Sequence, residues 1–173
     1  MAPTRGILAG RSWAPRRTAR RTRERVPGGT PLRFWDTSAL LSLCSDETHS
    51  PRARAILLED DRMIVWWGTP VEFVSALARH ERAGNLTAGD SAELNRYLRA
   101  LSERWIEIQP SRSLRRLAQR LLRTHPLRAS DALQLAAALV AAQGDPTSLR
   151  FVCFDTRLND AARREGLEIP VHL

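Results

Sequence analysis

Four carboxylates of this chain stand where one expected element gives way to the next: Asp36, Glu72, Asp131 and Asp155. Asp36 ends an apolar run containing Leu32, Phe34 and Trp35, and the small hydroxyl residues Thr37 and Ser38 follow at once. Asp155 ends a second such run, FVCF. Glu72 falls in the first turn of a helix opened by Thr69 and Pro70, and Asp131 begins the most apolar helical stretch, SDALQLAAALVAA. Each acid alone has an ordinary explanation. Thr69 with Glu72 three residues on has the form of a capping box, and Asp131 and Asp155 suit the positive end of a helix dipole. Capping does not account for four acids on one rim. Bare carboxylates brought together repel and raise one another's pKa. A hard divalent cation relieves that cost, and an all-oxygen donor set suits Mg2+ or Mn2+ rather than zinc. No two of His49, His80, His125 and His172 are four residues apart, which disfavours a helical zinc site or a general-base histidine.

The elements that must position these acids follow from periodicity. Short apolar runs predict strands ending at Trp35 and over residues 63–67, 105–108, 149–154 and 168–171. Helical spacing predicts helices over 38–44, 50–58, from Thr69 to the stop at Gly84, and over 88–104, 111–123, 129–142 and 156–165. Strands alternating with helices imply a three-layer α/β/α sandwich around a central parallel sheet of about five strands. In such a sheet, ligands bind beyond the carboxyl ends of the strands where the strand order reverses. Asp36 and Asp155 would meet there if their strands are neighbours. Trp35, Trp66 and Trp105 are expected in the core, and no place is assigned to Trp13 or Trp67.

With 173 residues, 43% of them hydrophobic, the chain can bury the core of one ordinary domain. Cys44 and Cys153 are the only cysteines, so no disulfide framework is expected, which fits a reducing cytoplasm. No apolar run reaches the roughly 18–20 residues needed to cross a bilayer. The net charge of +8 is all accounted for by residues 1–33, where nine arginines face the single acid Glu24. There is no lysine; every basic residue suits planar contacts to phosphate or carboxylate, and none can act as an amine catalyst. Residues 1–31 are expected to be a disordered Arg-rich tail, a targeting segment, a nucleic-acid arm, or an over-long start, the last being the preferred reading. The domain proper is expected over 32–173.

The stretches DTSAL at Asp36, PVEFVSAL around Glu72, LRASDALQLAAAL around Asp131 and FVCFDTRLNDAARREGL around Asp155 resemble, in order and spacing, the four acidic motifs of the PIN-domain nucleases. Within that family the chain is similar to the small VapC-type toxins of bacterial toxin–antitoxin pairs. The resemblance implies that Asp36, Glu72, Asp131 and Asp155 are the catalytic acids and metal ligands, and that Thr37 or Ser38 is the supporting hydroxyl. It further implies Mg2+- or Mn2+-dependent hydrolysis of RNA leaving a 5′-phosphate, a cognate antitoxin, and a homodimer formed through the early helices. Cys153 departs from the pattern, because the family often has Thr or Ser two residues before the last acid. Arg128 and Arg157, beside two of the acids, are the candidate phosphate contacts. The arginines of the 111–123 helix are assigned by default to a solvated face. A haloacid-dehalogenase-like reading fails because Ser38 stands where a second Asp is needed, and a receiver domain would need a lysine. The alternative in a different class is a catalytically silent PIN-like module that binds RNA or a protein partner.

Overall fold

The computed structural model describes residues 32–44 and 49–170. The expectations for residues 1–31, and for the end of the last expected strand, lie outside the described residues. Among the described residues, the elements run in the order β1 (Leu32–Trp35), α1 (Thr37–Leu43), α2 (Ser50–Glu59), β2 (Met63–Trp66), α3 (Thr69–Arg82), α4 (Ala88–Ser102), β3 (Ile106–Ile108), α5 (Arg112–Thr124), α6 (Ala129–Ala141), a 3-10 turn (Pro146–Ser148), β4 (Leu149–Val152) and α7 (Thr156–Arg164). The sheet is parallel throughout, in the order β3-β2-β1-β4. Among the described residues it has four strands, where about five were expected. The described part of the last expected strand, residues 168–170, contributes a single bridge, Arg150 to Glu168, because Pro170 cannot donate to a ladder.

Strand order dictates the layers. From β1 to β2 to β3 the chain steps one way, and from β3 to β4 it returns past two strands. Right-handed crossovers therefore place the helices of the two journeys on opposite faces. The cores obey this. Trp35, Met63, Val65 and Val152 pack with α1 to α4, whereas Phe34, Ile64, Trp66, Phe151 and Cys153 pack with α5 to α7. Neighbouring strand residues alternate between the faces, as the pleat requires. Trp35, Trp66 and Trp105 are buried as expected, and Trp67 is half exposed beyond the end of β2.

Two local features set the rim of the sheet. Gly68 separates β2 from α3, and a Cβ there would lie 2.5 Å from the Trp66 indole nitrogen, so only glycine lets the ring fold over this turn. In α6, Ala132, Ala136, Ala137 and Ala138 are fully buried, which lets the helix run between the sheet and α5. Arg33 is also buried, despite its place at the edge of the basic segment. Its guanidinium donates to the Ile56 carbonyl at 2.6 Å and pairs with Glu59 at 2.7 Å, fastening the end of α2 to β1.

Candidate active site at the carboxyl edge of the sheet

The strand order reverses between β1 and β4, so the crevice of this sheet opens between their carboxyl ends. The register Trp35 with Val152 brings those ends level. One further hydrogen bond, from the Asp36 N–H to the Val152 carbonyl at 3.0 Å, carries the pairing to Asp36 itself. Asp36 is 5% exposed, and its Oδ2 accepts the Ser38 N–H at 2.8 Å, capping α1. Burial pushes its carboxyl above the ordinary aspartate range, and the hydrogen bonds from Ser38 and Cys153 only partly pull it back. Asp155 caps α7 by accepting the Leu158 N–H at 3.0 Å, with its other oxygen 3.8 Å from the Arg157 guanidinium.

Cys153 and Ser38 tie the two strand ends together. The Cys153 thiol lies 3.6 Å from Asp36 Oδ2 and accepts the Asp155 N–H at 3.3 Å. Ser38 Oγ accepts the Phe154 N–H at 3.0 Å. Burial, reinforced by the Asp36 charge, pushes the thiol well above its usual pKa, so it stays a neutral donor. Asn159, one turn into α7, is buried and donates to the Cys153 carbonyl at 2.9 Å.

Glu72 reaches the same rim from α3. The capping box expected of Thr69 and Glu72 does not form. Gly68 is the cap, Thr69 is the first helical residue and fully buried, and both side chains turn inward. Glu72 Oε2 accepts from the Thr37 hydroxyl at 2.9 Å and from Gln134 Nε2 at 3.0 Å. The same Gln134 nitrogen lies 2.8 Å from Thr37 Oγ1 and 3.1 Å from Thr69 Oγ1, so one buried amide joins α1, α3 and α6. Burial raises the Glu72 pKa, the bonds from Gln134 and Thr37 lower it, and the charges of Asp36 and Asp131 raise it again. Three of the four acids therefore share one electrostatic neighbourhood. Asp131 opens α6, accepting the Arg128 N–H at 3.1 Å and the Ser130 hydroxyl at 3.3 Å.

Asp36, Thr37, Ser38, Glu72 and Asp131 are thus brought together, and Asp155 joins them through Cys153. Arg157 faces Asp155, while Arg128 is exposed at the start of α6. Capping is real for Asp36, Asp131 and Asp155 and absent for Glu72. Sequence reasoning passed over Gln134 and Asn159. The available signal was a lone amide in an alanine-rich apolar helix, three residues after Asp131 and so on its face. Among the described residues, no three His, Cys, Asp or Glu side chains form a ready-made metal cluster.

Residues 33–164 match the family described as PIN domain. Among curated proteins the chain is similar to Ribonuclease VapC45 of Mycobacterium tuberculosis (strain CDC 1551 / Oshkosh). It is likewise similar to Ribonuclease VapC49 of Mycobacterium tuberculosis (strain ATCC 25618 / H37Rv). Each is 32% identical over 142 residues, covering 80% of this chain and 94% of the relative. Among solved structures, its fold is similar to FitAcB from Neisseria gonorrhoeae, with a TM-score of 0.55 at 18% identity, over 82% of this chain and 100% of that one. It is also similar to PAE2754 from Pyrobaculum aerophilum, with a TM-score of 0.53 at 19% identity, over 76% and 84%.

Proposed function

Because this chain belongs to the PIN-domain family, in its VapC-type branch, we propose that it is an Mg2+- or Mn2+-dependent endoribonuclease and the toxin of a toxin–antitoxin pair. The observation that carries the reading is the placement of Asp36 and Asp155 on the two strand ends at the reversal of the sheet, with Glu72 turned toward them. The donor set fits a hard cation. It offers carboxylate oxygens, and Asp36 is buried and Glu72 partly buried, each at the cost of a raised pKa that a cation would relieve. Asp36, Asp131 and Asp155 would hold the ion, and Glu72 would hold it or orient water beside it. When bound, such an ion polarises a phosphate, lowers the pKa of water and steadies a leaving oxygen.

The chain's own residues supply the positioning. Thr37 and Gln134 fix Glu72 by hydrogen bonds to one oxygen, which leaves its orientation set before substrate arrives. Ser38 holds Asp36 through its N–H and Phe154 through its hydroxyl, so the spacing of the β1 and β4 ends is fixed. Arg157 beside Asp155, and Arg128 at the start of α6, would take phosphate oxygens of the RNA. In-line attack of water on the phosphodiester then leaves a 5′-phosphate and a 3′-hydroxyl. The partners that go with this reading are RNA, a cognate antitoxin and a second copy of the chain, in the cytoplasm. Among the described residues, no helix is long and apolar enough to cross a membrane.

The test is cleavage of a labelled cellular RNA pool by purified, antitoxin-free protein with Mg2+ or Mn2+, with and without EDTA, beside Asp36→Asn. Metal-dependent cuts lost in Asp36→Asn are the expected result. Folded, metal-loaded protein that cuts nothing would replace the nuclease with a binding module.

A further inference from the structure

The arginines of α5 break the rules that usually govern charge on a helix. Within Arg112–Thr124 there are five arginines and no acid. Arg112 stands four residues before Arg116 and Arg116 four before Arg120, while Arg115 and Arg123 follow Arg112 and Arg120 at three. Like charges at these spacings repel. Arg112, Arg115 and Arg116 also crowd the amino-terminal turns, where the helix dipole disfavours positive charge. Only Arg120 is neutralised, by a two-pronged contact to Glu165 at 3.1 and 2.6 Å. The guanidiniums of Arg112, Arg115, Arg116 and Arg123 are exposed and meet no carboxylate among the described residues. Elsewhere Arg33, Arg62, Arg150, Arg157 and Arg163 each face an acid. Other surface arginines, such as Arg52, Arg79, Arg96 and Arg164, do not among the described residues, but every other arginine-bearing helix described also carries an acid, whereas α5 carries none. A local conflict that nothing among the described residues compensates marks a surface whose partner lies outside.

Position identifies the partner. All strands are parallel, so α5, which starts shortly after the carboxyl end of β3, begins at the same sheet edge as the acids. From β3 to β1 is two strand spacings, roughly 10 Å. That is the reach of a couple of nucleotides of extended RNA. The inner face of α5 (Leu114, Ala118, Leu121) is buried against α6, the helix that carries Asp131 and Gln134. We propose that Arg112, Arg115 and Arg116, continued by Arg123, form a phosphate-tracking surface for the RNA strand on one side of the cut, sequence-independent and separate from Arg128 and Arg157. The inference rests on the ribonuclease reading for the identity of the polyanion, and it deepens that reading by fixing the side from which substrate approaches.

The test uses full-length protein carrying Asp36→Asn, with and without Arg112→Gln, Arg115→Gln and Arg116→Gln together. Binding of a fluorescein-labelled single-stranded RNA is followed by anisotropy across a salt series. Three lost phosphate contacts lower the slope of log K against log salt by about 2, and they weaken binding on the order of tenfold or more at low salt. The basic first 31 residues are present in both proteins, so the difference reads α5. Relief of repulsion leaves the unfolding midpoint unchanged or raised, which separates lost binding from lost folding. An unchanged slope and affinity would overturn the proposal and point to an acidic protein segment as the partner of α5. Absence of RNA cutting by the parent protein, with the slope difference intact, would remove the ribonuclease reading and leave the RNA surface standing.

Discussion

Replacing Gln134 with leucine removes the single donor group that joins α1, α3 and α6 beneath the acids, with little change in volume. The Gln134 amide has two N–H bonds for three acceptors, Glu72, Thr37 and Thr69, at 3.0, 2.8 and 3.1 Å, so two good bonds are the most it can supply. A bond to a charged acceptor contributes about 1.5–3 kcal/mol and a neutral one about 1 kcal/mol. Gln134 Oε1 is buried with no partner, and losing it returns about 1 kcal/mol. The net loss is then about 1.5–3 kcal/mol, or roughly 3–12 °C in Tm for a chain of this length. Urea unfolding read by circular dichroism measures it. The bond from Gln134 also lowers the Glu72 pKa, so its removal raises that pKa further and moves the acidic limb of any cleavage profile to higher pH. Gln134→Glu, which sets a carboxylate against Glu72, should lose more stability at neutral pH and recover as pH falls. A Gln134→Leu protein within about 0.5 kcal/mol of the parent, inside the ordinary range for a neutral surface change, would refute the reasoning.

Three further outcomes follow from buried charge. Burial raises the folded-state pKa of Asp36, so the folded protein binds more protons than the unfolded chain just above the ordinary aspartate range. Stability of the metal-free protein therefore falls as pH rises through that window. Asp36→Asn should show a smaller fall, the remainder coming from Glu72, whose pKa is also raised, and should be the more stable protein at neutral pH, by urea titration at several pH values in EDTA. The Cys153 thiol is held well above its usual pKa and Cys44 is pushed up to about 12, both by burial. Neither should react with a thiol reagent at neutral pH in the native protein, and both should react quickly in denaturant, as read by absorbance. Arg33→Met strips the Ile56 carbonyl of its partner, leaving the exposed Glu59 to water, and should cost about 1–3 kcal/mol, with α2 losing hydrogen-exchange protection before the sheet does.

The parts of this fold that could be read from sequence are those set by local pattern. Strand and helix positions followed from apolar spacing, with ends off by a residue or two, as frayed termini allow. The acids were visible because a carboxylate closing an apolar run is a local oddity. What depended on distant packing was not legible. Thr69 and Glu72 form a capping signature in sequence, but Gly68 takes the cap and Gln134, sixty-odd residues away, draws both side chains inward. Gln134 gave a weak signal because one polar residue in a helix is usually solvated; its burial follows only once α6 is laid against the sheet. Arg33 belonged by composition with the basic segment and by structure with the core, because Glu59 and the end of α2 come to it through the fold. The described part of the last expected strand shrank to one bridge for a reason present in the sequence, Pro170.

The central claim is that Asp36, Glu72, Asp131 and Asp155 act as one metal-dependent centre for RNA hydrolysis. It is tested most directly by cleavage of a single labelled RNA with Mn2+ by the parent protein and by Asp36→Asn, Glu72→Gln, Asp131→Asn and Asp155→Asn, with the product ends identified. The account predicts 5′-phosphate ends from the parent and losses on the order of 100-fold or more in each variant. Cyclic phosphate ends, or full activity in any of the four variants, would contradict it.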